Sequence, residues 1–187
     1  MKLYFEWLLQ NRKNMLLIGE APGYRGCRLT GIPFTSGVVI KSARHKIFRE
    51  IGAKIELHEV ISESTAAMLW EVLDESKPIP VLWNAFPFHP YQSGFPESNR
   101  KPNSAEIEEG KRYLELVCEL FKPEKLCSLG RIGEAIFTDL FPRRKRVQYF
   151  FAQTSWGNII RRTESYREAA KNKNRSVCHE RRHPRKT

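Results

Sequence analysis

The sequence predicts a three-layer α/β/α sandwich around a mainly parallel, four-stranded sheet. Three observations carry this expectation. Short apolar runs recur at 15–18 (MLLI), 79–86 (IPVLWNAF), 125–130 (KLCSLG) and 146–151 (RVQYFF); runs of this length suit buried strands. Segments with apolar residues at helical spacing lie between them. The first and third runs close on glycine, and the second opens into a loop with four prolines. Strands that alternate with helices are joined by crossovers and pair in parallel.

The elements follow in order. The start, MKLYFEWLLQNRKN, carries Glu6 inside a short apolar stretch, so it reads as an amphipathic helix and not as a secretory signal. MLLI is the first strand. Val39, Ile40, Ala43, Ile47 and Ile51 share one helical face, which predicts a helix over 37–51 started by Ser36. Residues 55–61 read as a short extended piece. A helix over 64–76 is capped by Ser64 or Thr65 and ends before Pro78. After the second strand and its loop, Ile107, Leu114, Val117, Cys118 and Phe121 line one face of a helix over 104–121. The third strand precedes a helix over 132–141, stopped by Pro142, and the fourth strand follows.

Bulk properties narrow the class. The chain of 187 residues is long enough for one self-sufficient core. The expected division is a domain over 1–157 and a basic tail over 158–187. No run approaches 18 apolar residues, so no membrane span is expected. Cys27, Cys118, Cys127 and Cys178 are widely spaced. Without a C-x-x-C pair, a zinc knuckle or iron–sulfur cluster is not expected, and the setting reads as reducing and cytoplasmic. The net charge of +11 favours an anionic partner such as nucleic acid. The charge is uneven, however: residues 158–187 hold ten Lys/Arg against three acidic residues. That run reads equally as a solvated tail.

In open α/β sheets ligands bind beyond the carboxyl ends of the strands. The segments 19–36, 84–102 and 152–157 all fall there and are expected to meet in one crevice. The first, Gly19-Glu20-Ala21-Pro22-Gly23, fits neither G-x-G-x-x-G nor the Walker pattern. Its exposed backbone either presents N–H groups to a flat ligand or oxyanion, or is an ordinary tight connection. Phe34, between Pro33 and Thr35, offers a ring for base stacking or plugs the core. Asn84 carries both a donor and an acceptor for a nucleobase edge, or caps its loop. His89 is a proton donor or a packed ring.

Taken together, GEAPG…GIPFTS and, about fifty residues on, LWNAFP resemble the uracil-DNA glycosylase superfamily, in its bacterial and archaeal branches that begin with GEAPG. The segment LCSLGRIGEAIF resembles the strand and helix that precede the family's last motif. The resemblance spans about Leu16 to Ser155. It implies a glycosylase that hydrolyses the N-glycosidic bond of uracil, or of a related deaminated base, in DNA. No metal or organic cofactor is implied. Glu20 and Ala21 would line the base pocket, with Gly19 and Gly23 bringing backbone close to the base. Phe34 would stack on the extruded uracil, and Asn84 would read its edge. Tyr24, Arg25, Ser36 and Ser155 would contact the DNA. A monomer is expected.

Three positions depart from the family pattern. Ala21 stands where other branches use Asp to orient water, and Gly23 where another uses Tyr against thymine's methyl group, with Tyr24 one place late. The family's final His-Pro-Ser is replaced by Gln153-Thr154-Ser155. Gln153 can donate a hydrogen bond but brings no positive charge. His183-Pro184 is followed by Arg185 and lies in the basic tail. An altered C-terminal frame would explain the change of composition. A DNA- or base-binding protein with weakened turnover is the alternative from a different class, and an enzyme acting on a small nucleotide is a more distant one.

Overall fold

The computed structural model describes residues 1–11, 14–42, 44–73 and 78–143, together with the backbone of the strands at 146–154 and 157–164. The chain runs α1 (Lys2–Gln10), β1 (Met15–Gly19), α2 (Cys27–Thr30), α3 (Gly37–Ser42), α4 (Lys46–Ile51), α5 (Ser64–Val72), β2 (Val81–Asn84), α6 (Ser104–Phe121), β3 (Lys125–Leu129), α7 (Arg131–Leu140), β4 (Arg146–Thr154) and β5 (Gly157–Glu164). Among the described residues five strands form one sheet in the order β2-β1-β3-β4-β5. The first four are mutually parallel, with Gly19 opposite Asn84 and Ile18 opposite both Trp83 and Ser128. The mainly parallel α/β sheet flanked by helices is therefore as the sequence predicts.

A fifth strand was not foreseen. β5 pairs antiparallel with β4 from Val147↔Glu164 to Thr154↔Gly157, running into the segment read as a basic tail. Its sequence, GNIIRRTE, has one short apolar pair among polar residues and gives little strand signal. β2 is the opposite edge of the sheet. There Leu82 N–H donates to the Tyr4 hydroxyl at 2.8 Å, which joins α1 to the edge and occupies a backbone group that would otherwise invite a foreign strand. Burial pushes the Tyr4 phenol well above its ordinary pKa, so it stays neutral.

β1, β2 and β3 are buried almost throughout and mainly apolar, with Ser128 and Asn84 the buried polar exceptions, as expected of strands covered on both sides. Helix α7 lies over β3, β4 and β1, and α6 over β2. Two glycines set these close approaches: a Cβ on Gly133 would meet Ile18 Cγ1 at 2.8 Å, and one on Gly110 would meet Ala85 O at 1.9 Å.

The helix predicted over 37–51 is two helices. Ser36 does begin α3, accepting from Val39 N–H at 3.3 Å. The second helix restarts at His45, whose Nδ1 accepts from Ile47 N–H at 3.3 Å. His45 is buried against Trp7 and Trp70, so tertiary packing overrides one continuous apolar stripe. Glu63, and neither Ser64 nor Thr65, caps α5 by accepting from Thr65 N–H (3.0 Å) and Ala66 N–H (2.7 Å). No strand forms at 55–61.

Candidate functional site

The carboxyl ends of β1, β2 and β3 open on a cavity of about 340 Å³. The loop after β1 forms one wall with Glu20, Ala21, Pro22 and Gly23; Asn84 stands at the end of β2, and Leu129 and Gly130 at the end of β3. Phe34 lines the same space. Two of the three segments expected to converge do so, 19–36 and 84–102.

Gly19 is the pivot. A Cβ here would lie 2.5 Å from Phe34 Cζ and 3.1 Å from Asn84 Oδ1. Ring and carboxamide thus meet across a residue that has no side chain to separate them. The strand end is fixed by backbone: Ala85 N–H donates to Gly19 O at 2.9 Å and Phe86 N–H to Glu20 O at 3.0 Å. The GEAPG loop is therefore anchored to the segment that presents Asn84. Asn84 is 4% exposed, and its Nδ2 lies 3.8 Å from Cys27 Sγ. Burial pushes the Cys27 thiol up to about 12, so a neutral thiol backs the carboxamide.

Phe34 has φ 55°, a left-handed backbone that non-glycine residues adopt at a cost of about 1–3 kcal/mol. Its surroundings over-determine that conformation. Trp70 Nε1 donates to Phe34 O at 2.9 Å. Next to it, Thr30 and Thr35 share a hydroxyl contact of 2.7 Å, Thr35 donates to Ile32 O at 2.7 Å, and Thr30 Oγ1 accepts from Ile32 N–H at 3.2 Å. The ring therefore lines the cavity from a backbone fixed by its own segment and by Trp70, while most of its surface is packed into the core.

The rim is built by the loop after β2. His89 Nδ1 lies 2.8 Å from Pro22 O and its Nε2 3.2 Å from Pro96 O, so the ring ties the two loops together and does not reach into the cavity. Tyr24 N–H donates to Asn99 Oδ1 at 3.0 Å, a second tie. Arg25 is exposed beside it, with Nε donating to the Tyr24 hydroxyl at 2.6 Å, which leaves further guanidinium N–H groups toward solvent. Arg100 closes the base of the loop, donating from Nε to Tyr91 O (2.8 Å) and holding the Glu106 carboxylate bidentately (2.7 and 2.6 Å). Asn103 and Glu106 complete a capping box on α6.

The Arg100 guanidinium holds the Glu106 carboxyl down at about 2, from an ordinary 4.5. A carboxylate depressed on folding stabilises the fold above its unfolded pKa, and that contribution is lost as pH falls toward the folded value. Glu106→Gln is expected to cost about 1–2 kcal/mol at neutral pH, the pair being partly exposed to water. In unfolding titrations the difference from the parent shrinks below pH 4.5 and is lost as the pH falls through about 2.

The expected site residues divide accordingly. Gly19, Glu20, Ala21, Gly23, Phe34 and Asn84 share one cavity, and Tyr24 and Arg25 stand at its rim. Ser36 does not face DNA: it has no exposed surface, and its hydroxyl caps α3. Gln153 is not on a loop; its backbone lies in β4, opposite Asn158. Ser155 and the expected contact around it lie outside the described residues. Sequence reading missed Cys27, Glu63, Thr65 and Trp70, which lie in α2 and in α5 and its cap, without a local signature of the site. Leu129 and Gly130 were within reach of the rule that places ligands at strand carboxyl ends.

Among the described residues no cluster of His, Cys, Asp or Glu is arranged to hold a metal ion, and no helix is long and apolar enough to cross a membrane. No curated protein matches the chain. The model of the uracil DNA glycosylase superfamily matches residues 8–185, a span that contains every part of the cavity just described. On that match the chain, with its parallel sheet and its pocket at the strand ends, belongs to the uracil DNA glycosylase superfamily.

Proposed function

We propose that the protein is a DNA glycosylase of the GEAPG type, hydrolysing the N-glycosidic bond of uracil, or of a related deaminated base, and leaving an abasic site. The observation that carries this reading is the meeting of Phe34 and Asn84 across Gly19 in one cavity. A ring face and a carboxamide suit a flat heterocycle that needs stacking and an edge contact. One Asn84 N–H is directed at Cys27; the other N–H and Oδ1 then serve the O4 acceptor and N3–H donor of uracil. Cytosine presents the opposite pattern at these atoms and leaves the carboxamide mismatched.

The chemistry follows from where charge develops. As the bond between base and sugar lengthens, electrons pass to the base and the sugar gains cationic character. Backbone N–H groups of the 19–23 loop and the Asn84 amide stabilise the departing base, while DNA phosphates favour the sugar cation. Water then bonds to the sugar carbon, and the proton it gives up neutralises the base that left with the bonding electrons, so the products are the free base and an abasic sugar hydroxyl. Glu20, half-buried on the wall, supplies a carboxylate that can orient that water. Arg25 and Tyr24 at the rim would take phosphates.

A panel of oligonucleotides, each with one damaged base, tests the reading through alkaline strand scission. Scission at uracil is the expected result; none at any base in the panel overturns it. The position of Gln153 favours a second reading, in which the fold binds DNA or a flipped base with weak turnover. Salt-sensitive DNA binding without abasic product would select that reading.

A further inference from the structure

Phe95 is the most exposed large hydrophobic residue among the described ones, at 66%. Isolated exposed apolar side chains are common on protein surfaces. What sets this one apart is the rigidity of the backbone beneath it. Phe95 N–H donates to Gln92 O at 2.8 Å, closing a tight turn whose third residue, Gly94, has φ 81°; a type II turn requires a positive φ there. Phe95 O accepts from Ser98 N–H at 3.0 Å and from Ser98 Oγ at 2.7 Å, and Ser98 Oγ in turn accepts from Gln92 N–H at 2.9 Å. Both backbone groups of Phe95 are thus engaged while its side chain is left in water. The turn is also fastened to the pocket: Pro96 O meets His89 Nε2, and His89 Nδ1 meets Pro22 O on the cavity wall. The neighbouring Tyr91 is exposed too and stacks on His89.

Taking a base out of a duplex costs unstacking energy, and a side chain that occupies the vacated stack offsets that cost. We propose that Phe95 is a wedge that enters the base stack beside the extruded nucleotide, so that this loop, and not only the pocket, acts on double-stranded DNA. The proposal rests on the glycosylase reading for its substrate but not on hydrolysis. A fixed backbone means that little order is lost when the ring inserts, and an aromatic ring replaces the stacking the base gives up.

The test uses the full chain, its Phe95→Ala and Phe95→Trp variants, and a duplex bearing one uracil with 2-aminopurine beside it. The parent is expected to raise the 2-aminopurine fluorescence at saturating protein. Phe95→Ala should bind the duplex yet lose most of that rise, and Phe95→Trp should restore it. In single-turnover excision, Phe95→Ala should lose about tenfold or more on the duplex while matching the parent on the single strand, which has no stack to open. Equal fluorescence rises for parent and Phe95→Ala, or a parent that binds the duplex with no rise, overturns the wedge. A parent that gives the rise but leaves no abasic sites keeps the wedge and overturns the hydrolysis.

Discussion

Asn84→Ala is expected to reduce uracil excision by about 10²–10³-fold, the usual cost of deleting one donor aimed at developing charge. The residue ends β2 opposite Gly19, which has no side chain to stand in for the carboxamide. Replacing Asn84 removes both the donor and the acceptor that face a pyrimidine edge. The fold should tolerate the change, because what is lost inside the protein is a long contact to Cys27 Sγ at 3.8 Å; a cost of about 1 kcal/mol is expected. The informative measurement is therefore single-turnover excision set beside thermal unfolding. A variant that melts like the parent and excises far more slowly places the carboxamide in the reaction. Parental excision rates in a folded Asn84→Ala protein would show that the base is held elsewhere.

Much of this site was legible because strand ends are punctuated. Gly19 and Gly130 close two apolar runs, and Asn84 is the first polar residue after a third. The rule that ligands sit beyond strand carboxyl ends then brings residues more than a hundred positions apart to one crevice. Phe34 was legible as a candidate, but the fixing of its backbone was not. That fixing depends on φ 55° and on Trp70, which lies 36 residues away and is marked by nothing local. Ser36 shows the converse. A serine before a helix is both a plausible phosphate contact and a helix cap, and only burial decides for the cap.

The same logic explains the break at His45. Periodicity sees the apolar stripe from Val39 to Ile51 and cannot see two tryptophans enclosing an imidazole in its middle. β5 escaped for another reason. An edge strand gains its stability from pairing with β4, over eight register pairs, and its own sequence need show no strong alternation. What a single sequence conveys well is thus the buried parallel strands, whose apolar runs are required by burial on both faces. What it conveys poorly is anything decided by a partner distant in the chain.

Gly110→Ala should unfold the protein more than any surface change, and for a reason that also binds the fold to the site. The new Cβ would stand 1.9 Å from Ala85 O and 2.9 Å from Ala85 C. The atoms in the way are backbone, so no rotamer change relieves them. Nor can the segment retreat freely, since Ala85 N–H and Phe86 N–H hold Gly19 O and Glu20 O. Either α6 lifts from β2, loosening the buried Leu114 and Val117, or the strand end carrying Asn84 shifts and the pocket changes shape. Overpacking of this kind costs about 3 kcal/mol or more, which for a chain of this size lowers the melting temperature by roughly 6–12 °C. Gly94→Ala is the matching control: its φ of 81° imposes backbone strain, yet a Cβ there meets nothing within 4 Å. It should cost about 1 kcal/mol and leave the Asn84 pocket untouched. If Gly110→Ala melted no lower than Gly94→Ala, the close seating of α6 on the residues after β2 would be wrong. The orientation of Asn84, which depends on that same backbone, would be wrong with it.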